Sequence, residues 1–370
     1  MSLVSPSLAH SIPGKQDLFN PLAHDPVNIS LPSDIPIAEL QTIDFGRLHA
    51  GDKAEGARLL DACKSFGFFY LALPQDEKTQ TMIQQMYSLI KGVHNLEDEE
   101  KMRYDVDKLS KMKLNGYKPV GRNFGGLQGN RDGFETWGIP KNGVMGFDGP
   151  DGASFARPPI IDQYMETLKA FANTVHAAAH AIFGSLSESL NLPQGEGFED
   201  YHRTNMPSPD IIRLLKYHPQ PIEERGVVHT PHTDLGSLTF LFTEQPGLQV
   251  LSPGADEWKY VAPRPGHAII NLGDMMGRLT NKYFHSCLHR VVPLPNKAME
   301  MRYSFAYLMR AEDWTPMKGL KSDLISADDP NNEIITSGQW LQRKFGMLRL
   351  DTHKKGDDWV LTGQKNALPQ

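Results

Sequence analysis

Two histidines and one aspartate form the clearest set of metal ligands in this sequence of 370 residues. His232 and Asp234 stand two positions apart in a β-like stretch, where residues i and i+2 share a face, so both side chains can point at one ion. His289, in a later β-like stretch, is the candidate third ligand. Although an isolated His-x-Asp pair is common in surface loops, two imidazoles and a carboxylate together form the facial triad that suits Fe(II).

A second pattern, Arg302-Tyr303-Ser304, opens the apolar run RYSFAYLM. Strand alternation places Arg302 and Ser304 on one face. A buried guanidinium needs an anion, because an unpaired charge in a protein interior is costly. Arginine beside a hydroxyl is well suited to bind a carboxylate. With the three ligands, this pattern predicts a metal next to a bound dicarboxylate; the alternative is a structural salt bridge.

Other histidines are predicted to be structural. His176 and His180 have the i, i+4 spacing of zinc ligands on a helix, but no glutamate lies between them to act as a base. His285 and His289 are also four apart, but in a strand-like stretch that gives them no common helical face. We expect His229 in the loop before the strand, nearer to substrate than to metal.

Short β-like runs separated by proline and glycine follow residue 210 and must position these side chains. They read IIRLLKY, SLTFLF, LQVL, AIINL and RYSFAYLM. Such spacing favours a sandwich or barrel over βαβ units. Apolar periodicity predicts helices over 54–66 and 161–190, with a strand in FGFFYLAL between them. We therefore predict a mainly β protein with flanking helices.

Composition excludes several other classes of protein. The chain has 38 Lys and Arg against 44 Asp and Glu, a formal net charge of −6, which argues against nucleic-acid binding. Its apolar runs are too short to cross a membrane, and the first residues lack the pattern of a secretory signal, so we expect a cytoplasmic protein. Two cysteines are too few for a disulfide scaffold or a cysteine-rich zinc site.

Several motifs, in order, resemble the Fe(II)- and 2-oxoglutarate-dependent dioxygenases of the isopenicillin N synthase-like family. They are IPIAELQTIDF, FGFFYL, KYHPQP, HTDLGSLTFLF, PGLQVL, PGHAIINLGDMMGRLTN, SCLHRVV and RYSFAYL, within residues 35–309. The resemblance implies a double-stranded β-helix (jelly-roll) core with an N-terminal α/β extension. The expected regions are an irregular arm (1–34), an N-terminal dioxygenase region (35–204), the jelly-roll core (205–315) and a C-terminal covering segment (316–370).

The resemblance also implies the cofactors and their residues. The three predicted ligands would hold Fe(II), and Arg302 and Ser304 would bind the distal carboxylate of 2-oxoglutarate, with ascorbate as an assay additive. Tyr217 would also touch 2-oxoglutarate. Because KYHP departs from the commoner family pattern, His218 is an alternative to Tyr217.

The implied reaction uses dioxygen to hydroxylate, desaturate or cyclise a mid-sized organic substrate of specialised metabolism, releasing succinate and carbon dioxide. No nucleic-acid or membrane partner is expected, and the oligomeric state is left open. The residues expected to line the substrate pocket are Tyr117, Arg122, Phe134, Phe240, Leu308 and Arg310.

Three other functions fit parts of the pattern. An iron oxidase of the same fold can work without 2-oxoglutarate, and Arg-x-Ser does not separate it from the leading hypothesis. A non-catalytic jelly-roll binding module and a zinc hydrolase on a similar barrel also remain open from the residues alone.

Overall fold

The computed structural model describes residues 31–109, 112–122, 132–147, 155–219, 229–328 and 333–347. The predicted arm at 1–34 therefore lies almost entirely outside the described residues, as does the end of the C-terminal covering segment. No helix in the described ranges has the length and apolar character needed to cross a bilayer.

Two β-sheets form the centre of the molecule. The strands are β1 (Thr42–Asp44), β2 (Phe68–Ala72), β3 (Gly116–Lys118), β4 (Phe134–Pro140), β5 (Ile211–Tyr217), β6 (His229–His232), β7 (Leu238–Thr243), β8 (Leu248–Leu251), β9 (Trp258–Tyr260), β10 (His267–Leu272), β11 (Leu288–Val291) and β12 (Arg302–Met309). The larger sheet has the order β1-β2-β10-β7-β12-β5-β4-β3 and the smaller one β6-β11-β8-β9. This sheet-rich architecture with flanking helices confirms the predicted jelly-roll class.

Helices flank the larger sheet, most of them on the face opposite the chambers. They are α1 (Phe45–His49), α2 (Lys53–Ser65), α3 (Glu77–His94), α4 (Asp98–Arg103), α5 (Val106–Leu109), α6 (Lys141–Met145), α7 (Pro159–Gln163), α8 (Met165–Ser189), α9 (Asp274–Leu279) and α10 (Ser337–Met347). The apolar stripe predicted for 161–190 is the buried face of α8, where Phe171 makes edge contacts with Phe242, Phe305 and Tyr307 of the sheet.

Strand alternation divides β5 and β12 into two faces. Phe305 and Tyr307 point toward the helices and belong to the main core, whereas Arg302, Ser304 and Ala306 line a cavity on the other side. The two strands are antiparallel, with Arg302 opposite Tyr217 and Ala306 opposite Arg213. The larger sheet thus presents a polar row to the space between the two sheets.

Candidate metal and cosubstrate site

The three predicted ligands meet at the edge of the smaller sheet. His232 on β6 lies directly opposite His289 on β11, and their ring centroids are 4.2 Å apart. Asp234 Oδ1 is 3.8 Å from His232 Nε2 and 3.9 Å from His289 Nε2. All three ligand atoms lie within 4.8 Å of one another, and in the described part of the chain no other group of His, Cys, Asp or Glu does so.

Asp234 reaches this point differently from the sequence-based expectation. β6 ends at His232, so Asp234 lies beyond the strand and the shared-face argument for residues i and i+2 is wrong for it. Its position is fixed by hydrogen bonds: Thr239 Oγ1 donates to Asp234 Oδ2 at 2.6 Å and Asn271 Nδ2 donates to the same oxygen at 3.0 Å. The Asp234 carbonyl also accepts from the Asp274 N–H at 2.7 Å.

These contacts keep the carboxylate ionised. Burial alone raises the pKa of a carboxyl group, but the nearby His289 and His232, with the bonds from Thr239 and Asn271, outweigh burial and hold the pKa of Asp234 at about 2. On the other side, His289 Nδ1 lies 3.2 Å from the Cys287 carbonyl oxygen. Donation from Nδ1 leaves Nε2 as the lone-pair atom that faces the site.

The donor set fits a divalent iron ion. Two imidazole nitrogens and one carboxylate oxygen converge from one side, and the opposite side opens onto cavities, so coordination positions remain for other ligands. Each metal-facing atom of Asp234 and His289 is oriented by a hydrogen bond made by another atom of the same side chain. This is the second layer of support that metal sites commonly have.

The inner chamber is a cavity of about 70 Å³ between the two sheets, with Arg302, Ser304, Tyr217 and the three ligands in its walls. Arg302 is buried, and its Nη1 donates to Ser304 Oγ at 3.3 Å while its Nε donates to the Gln245 carbonyl at 3.4 Å. Burial lowers the pKa of Arg302. No carboxylate of a described residue lies within ion-pair distance of Arg302, so the described residues give it no structural salt bridge.

Tyr217 and His218 lie on opposite faces of the larger sheet. Tyr217 lines the inner chamber, with the Arg302 guanidinium 4.8 Å from its ring centroid. His218 points the other way, and its Nε2 is 3.0 Å from Glu135 Oε1. Of the two alternatives from the sequence, Tyr217 is therefore the residue that faces the chamber.

The outer chamber, of about 190 Å³, meets the inner one at two of the three ligands, whereas His289 lines the inner chamber alone. Asp234, His232, His229, Arg213 and Leu308 line both cavities. His229 begins β6, so our expectation of a loop there is wrong; its ring stacks on His232 with centroids 4.3 Å apart. His229 is not in the ligand cluster. The metal site thus lies on the boundary between two compartments.

Four of the six predicted pocket residues line the outer chamber: Arg122, Phe134, Leu308 and Arg310. The other two are corrected. Phe240 on β7 lies opposite Tyr307 and Ile270 and points into the main core, while its neighbours Thr239 and Leu241 face the inner chamber. Tyr117 on β3 also points away, and its hydroxyl donates to Glu135 Oε2 at 2.6 Å.

Arg213 is the main residue that the sequence analysis missed. It lies on β5, four residues before Tyr217, and its side chain shares the chamber face with Tyr217. The argument applied to Arg302, that a charge within an apolar strand needs an anion, applies equally to the arginine in IIRLLKY. By contrast, His176 is structural, as predicted: its Nε2 lies 2.8 Å from the Tyr307 hydroxyl and 3.2 Å from Asp210 Oδ2.

Comparison with known proteins agrees with this geometry. The family model of the 2OG-Fe(II) oxygenase superfamily matches residues 208–311, and that of the non-haem dioxygenase in morphine synthesis N-terminal region matches residues 36–141. A 2-oxoglutarate-dependent dioxygenase of Gibberella zeae is 33% identical over 86% of this chain and 90% of its own length. One from Dothideomycetidae sp. is 32% identical over 89% and 96%.

The solved structure of a full-length Neurospora crassa protein in complex with alpha-KG is 22% identical and superimposes with a TM-score of 0.70, over 85% of this chain and 97% of that one. At this identity the match shows the shared fold. The curated relatives and the family models show more than the fold. The chain belongs to the 2OG-Fe(II) oxygenase superfamily and is an oxygenase that depends on Fe(II) and 2-oxoglutarate.

Proposed function

We propose that this oxygenase holds Fe(II) through His232, Asp234 and His289, binds 2-oxoglutarate in the inner chamber and oxidises an organic substrate in the outer chamber. The observation that carries the proposal is the meeting of the two chambers at His232 and Asp234, with His289 beside them in the inner chamber. Bound Fe(II) and 2-oxoglutarate supply the activation of dioxygen and the oxidising power, with release of succinate and carbon dioxide.

Arg302 and Ser304 bind the distal carboxylate of 2-oxoglutarate in this proposal. Arg302 is the buried cation at one end of the inner chamber, and Ser304 Oγ lies beside its guanidinium. The apolar side chains around it, Leu215, Leu248 and Val291, keep water away and strengthen the attraction between guanidinium and carboxylate. Tyr217 packs against the guanidinium and restricts its orientation.

The outer chamber supports a mid-sized, partly apolar substrate. Phe134, Ile211, Leu308 and Phe345 supply apolar surface, and charged groups lie among them. Family analogy favours a precursor in specialised metabolism. Hydroxylation, desaturation and ring closure all begin with a substrate C–H bond held near the metal, so the chain's task is to position that bond.

The first test is anaerobic addition of Fe(II) and 2-oxoglutarate, followed by visible absorption. The wild type should develop a weak charge-transfer band, and Arg302→Gln should need much more 2-oxoglutarate to reach it. Arg290→Gln is the matched control, because Arg290 follows His289 on β11 but bonds Gln249 Oε1 at 2.8 Å, and it lines neither chamber. A band that is unchanged in Arg302→Gln contradicts the assignment of 2-oxoglutarate to the inner chamber.

The second test is succinate release across a panel of candidate substrates. Release that depends on substrate, and that is lost in His232→Ala, is the expected result. Substrate oxidation without added 2-oxoglutarate would contradict the proposal.

A further inference from the structure

Arg213 is a charged side chain that the proposed binding of iron and 2-oxoglutarate does not use. It lies in the middle of β5, lines both chambers and is partly exposed to them. Within the described ranges its side chain has no hydrogen-bond acceptor and no carboxylate at ion-pair distance, although Asp234 is close enough to favour its charged form. An unpaired guanidinium in such a place is costly, so the structure needs a reason to keep it.

Three other basic residues of the outer chamber differ from Arg213, because each of them forms an ion pair with an acid. Their pairs are Lys118 with Asp132, Lys113 with Asp107, and Arg122 with both Asp105 and Asp107. The positive charge of each of these residues is therefore balanced within the chain. Arg213 and its neighbour Arg310 are therefore the two basic residues of this chamber that form no ion pair within the described ranges.

Arg310 adds to the same region. Its Nη1 donates to the Pro209 carbonyl at 2.5 Å, while its buried Nε has no partner among the described residues. Burial and the nearby Arg213 lower the pKa of Arg310 to about 10, and the more distant charges of Asp210, Asp234 and Asp313 offset only part of this. Two guanidinium groups close enough to repel each other, with donors left over, form a site prepared for an anion.

The position of this site separates it from the one at Arg302. In the β5–β12 register, Tyr217 lies opposite Arg302, whereas Arg213 lies opposite Ala306. Four residues along a strand span roughly 13 Å, and the small Ala306 side chain leaves space beside Arg213. A 2-oxoglutarate molecule held by Arg302 therefore leaves Arg213 available to the outer chamber.

We propose that the substrate carries a carboxylate, which Arg213 binds with Arg310 beside it, while Phe134, Ile211 and Phe345 hold its apolar part. This inference rests on the proposed function, since it takes the outer chamber as the substrate's. It narrows the substrate class from organic molecules in general to carboxylic acids with an apolar body. The guanidinium fixes one end of the substrate and so determines which C–H bond reaches the metal.

The test measures binding, so it does not depend on turnover. Calorimetric titration of the anaerobic Fe(II)–2-oxoglutarate enzyme compares two acids, 3-phenylpropanoate and hexanoate, with their neutral primary amides. The acids should bind roughly tenfold or more tightly than the amides, the size expected of charge-assisted hydrogen bonds. Acids that bind no better than amides, or that do not bind, overturn the proposal.

Variants then assign the preference to one residue. Arg213→Gln should abolish the acid preference and Arg213→Lys should keep part of it. Lys113→Gln is the matched control: it removes one positive charge from the same chamber, but Asp107 already neutralises that charge. An acid preference that survives in Arg213→Gln overturns the proposal, as does a preference lost equally in Lys113→Gln.

Two further readouts separate the remaining alternatives. The affinity for 2-oxoglutarate, from its visible band, should stay within about twofold of wild type in Arg213→Gln; an equal loss for 2-oxoglutarate and acids would place Arg213 on the cosubstrate. The unfolding midpoint of Arg213→Gln should not fall, because no carboxylate of the described residues lies at ion-pair distance from Arg213. A clear fall overturns the proposal. If the wild type shows no band, the proposed function itself fails and this inference fails with it.

Discussion

Replacing Thr239 by valine should weaken metal binding although Thr239 is not a ligand. Thr239→Val preserves the shape of the side chain but removes the 2.6 Å hydrogen bond to Asp234 Oδ2, leaving the 3.0 Å bond from Asn271. Thr239 is only 5% exposed, so water cannot easily replace the lost donor. A hydrogen bond to a charged group contributes about 1.5–3 kcal/mol.

Part of this free energy is also lost in the metal-free protein, so only the remainder lowers the affinity for the metal. At about 1.4 kcal/mol per factor of ten, we expect metal affinity to fall roughly tenfold and by no more than about a hundredfold. Competition of Fe(II) or Mn(II) against a coloured chelator measures it directly. Thr174→Val is the control, because its hydroxyl bonds the Ala170 carbonyl on α8. Equal metal affinities of Thr239→Val and wild type would refute the idea that these bonds orient Asp234.

Three further predictions concern the core, the loop behind the metal site and the effect of acid. Phe240→Ala should lower the free energy of unfolding by about 3–5 kcal/mol in denaturant titration, since Phe240 fills the main core; a change in substrate affinity without loss of stability would contradict its placement. Gly273→Ala should impair metal binding, because the added Cβ would clash with the carbonyl oxygen of Gly236 and lie 2.8 Å from the carbonyl oxygen of the ligand Asp234. A variant with wild-type metal affinity would count against this. Burial lowers the pKa of His94 and His202 to about 4. Between about pH 6.5 and 4 the unfolded chain therefore binds more protons than the folded one, so the free energy of unfolding should decrease as the pH is lowered through that window. Denaturation midpoints at several pH values check this, and His202→Gln should flatten the dependence.

The sequence was most informative where one side chain had a single plausible use. An arginine two residues before a serine in an apolar strand, and two histidines with an aspartate, predicted groups that the fold does bring to neighbouring walls of one cavity. Most strands of the two sheets around them were also predictable, because β5, β7, β8, β10 and β12 coincide with the apolar runs.

The faces of the strands were less predictable. Helices bury one face of the larger sheet and the chambers lie on the other, so both faces are apolar and alternation gives no sign of which is which. Phe240 and Tyr117 were assigned to the wrong face for that reason. Asp234 reached the metal site by a bend after β6, held by Thr239 and Asn271 from other strands, and such contacts between distant residues have no local signal.

The most direct test of the central claim is anomalous diffraction from anaerobic crystals grown with Mn(II) in place of Fe(II) and with 2-oxoglutarate. We predict one metal peak, on the order of 2 Å from His232 Nε2, Asp234 Oδ1 and His289 Nε2, with the distal carboxylate of 2-oxoglutarate against Arg302 in the inner chamber. A metal peak away from these three atoms, or 2-oxoglutarate bound in the outer chamber against Arg213, would contradict the account.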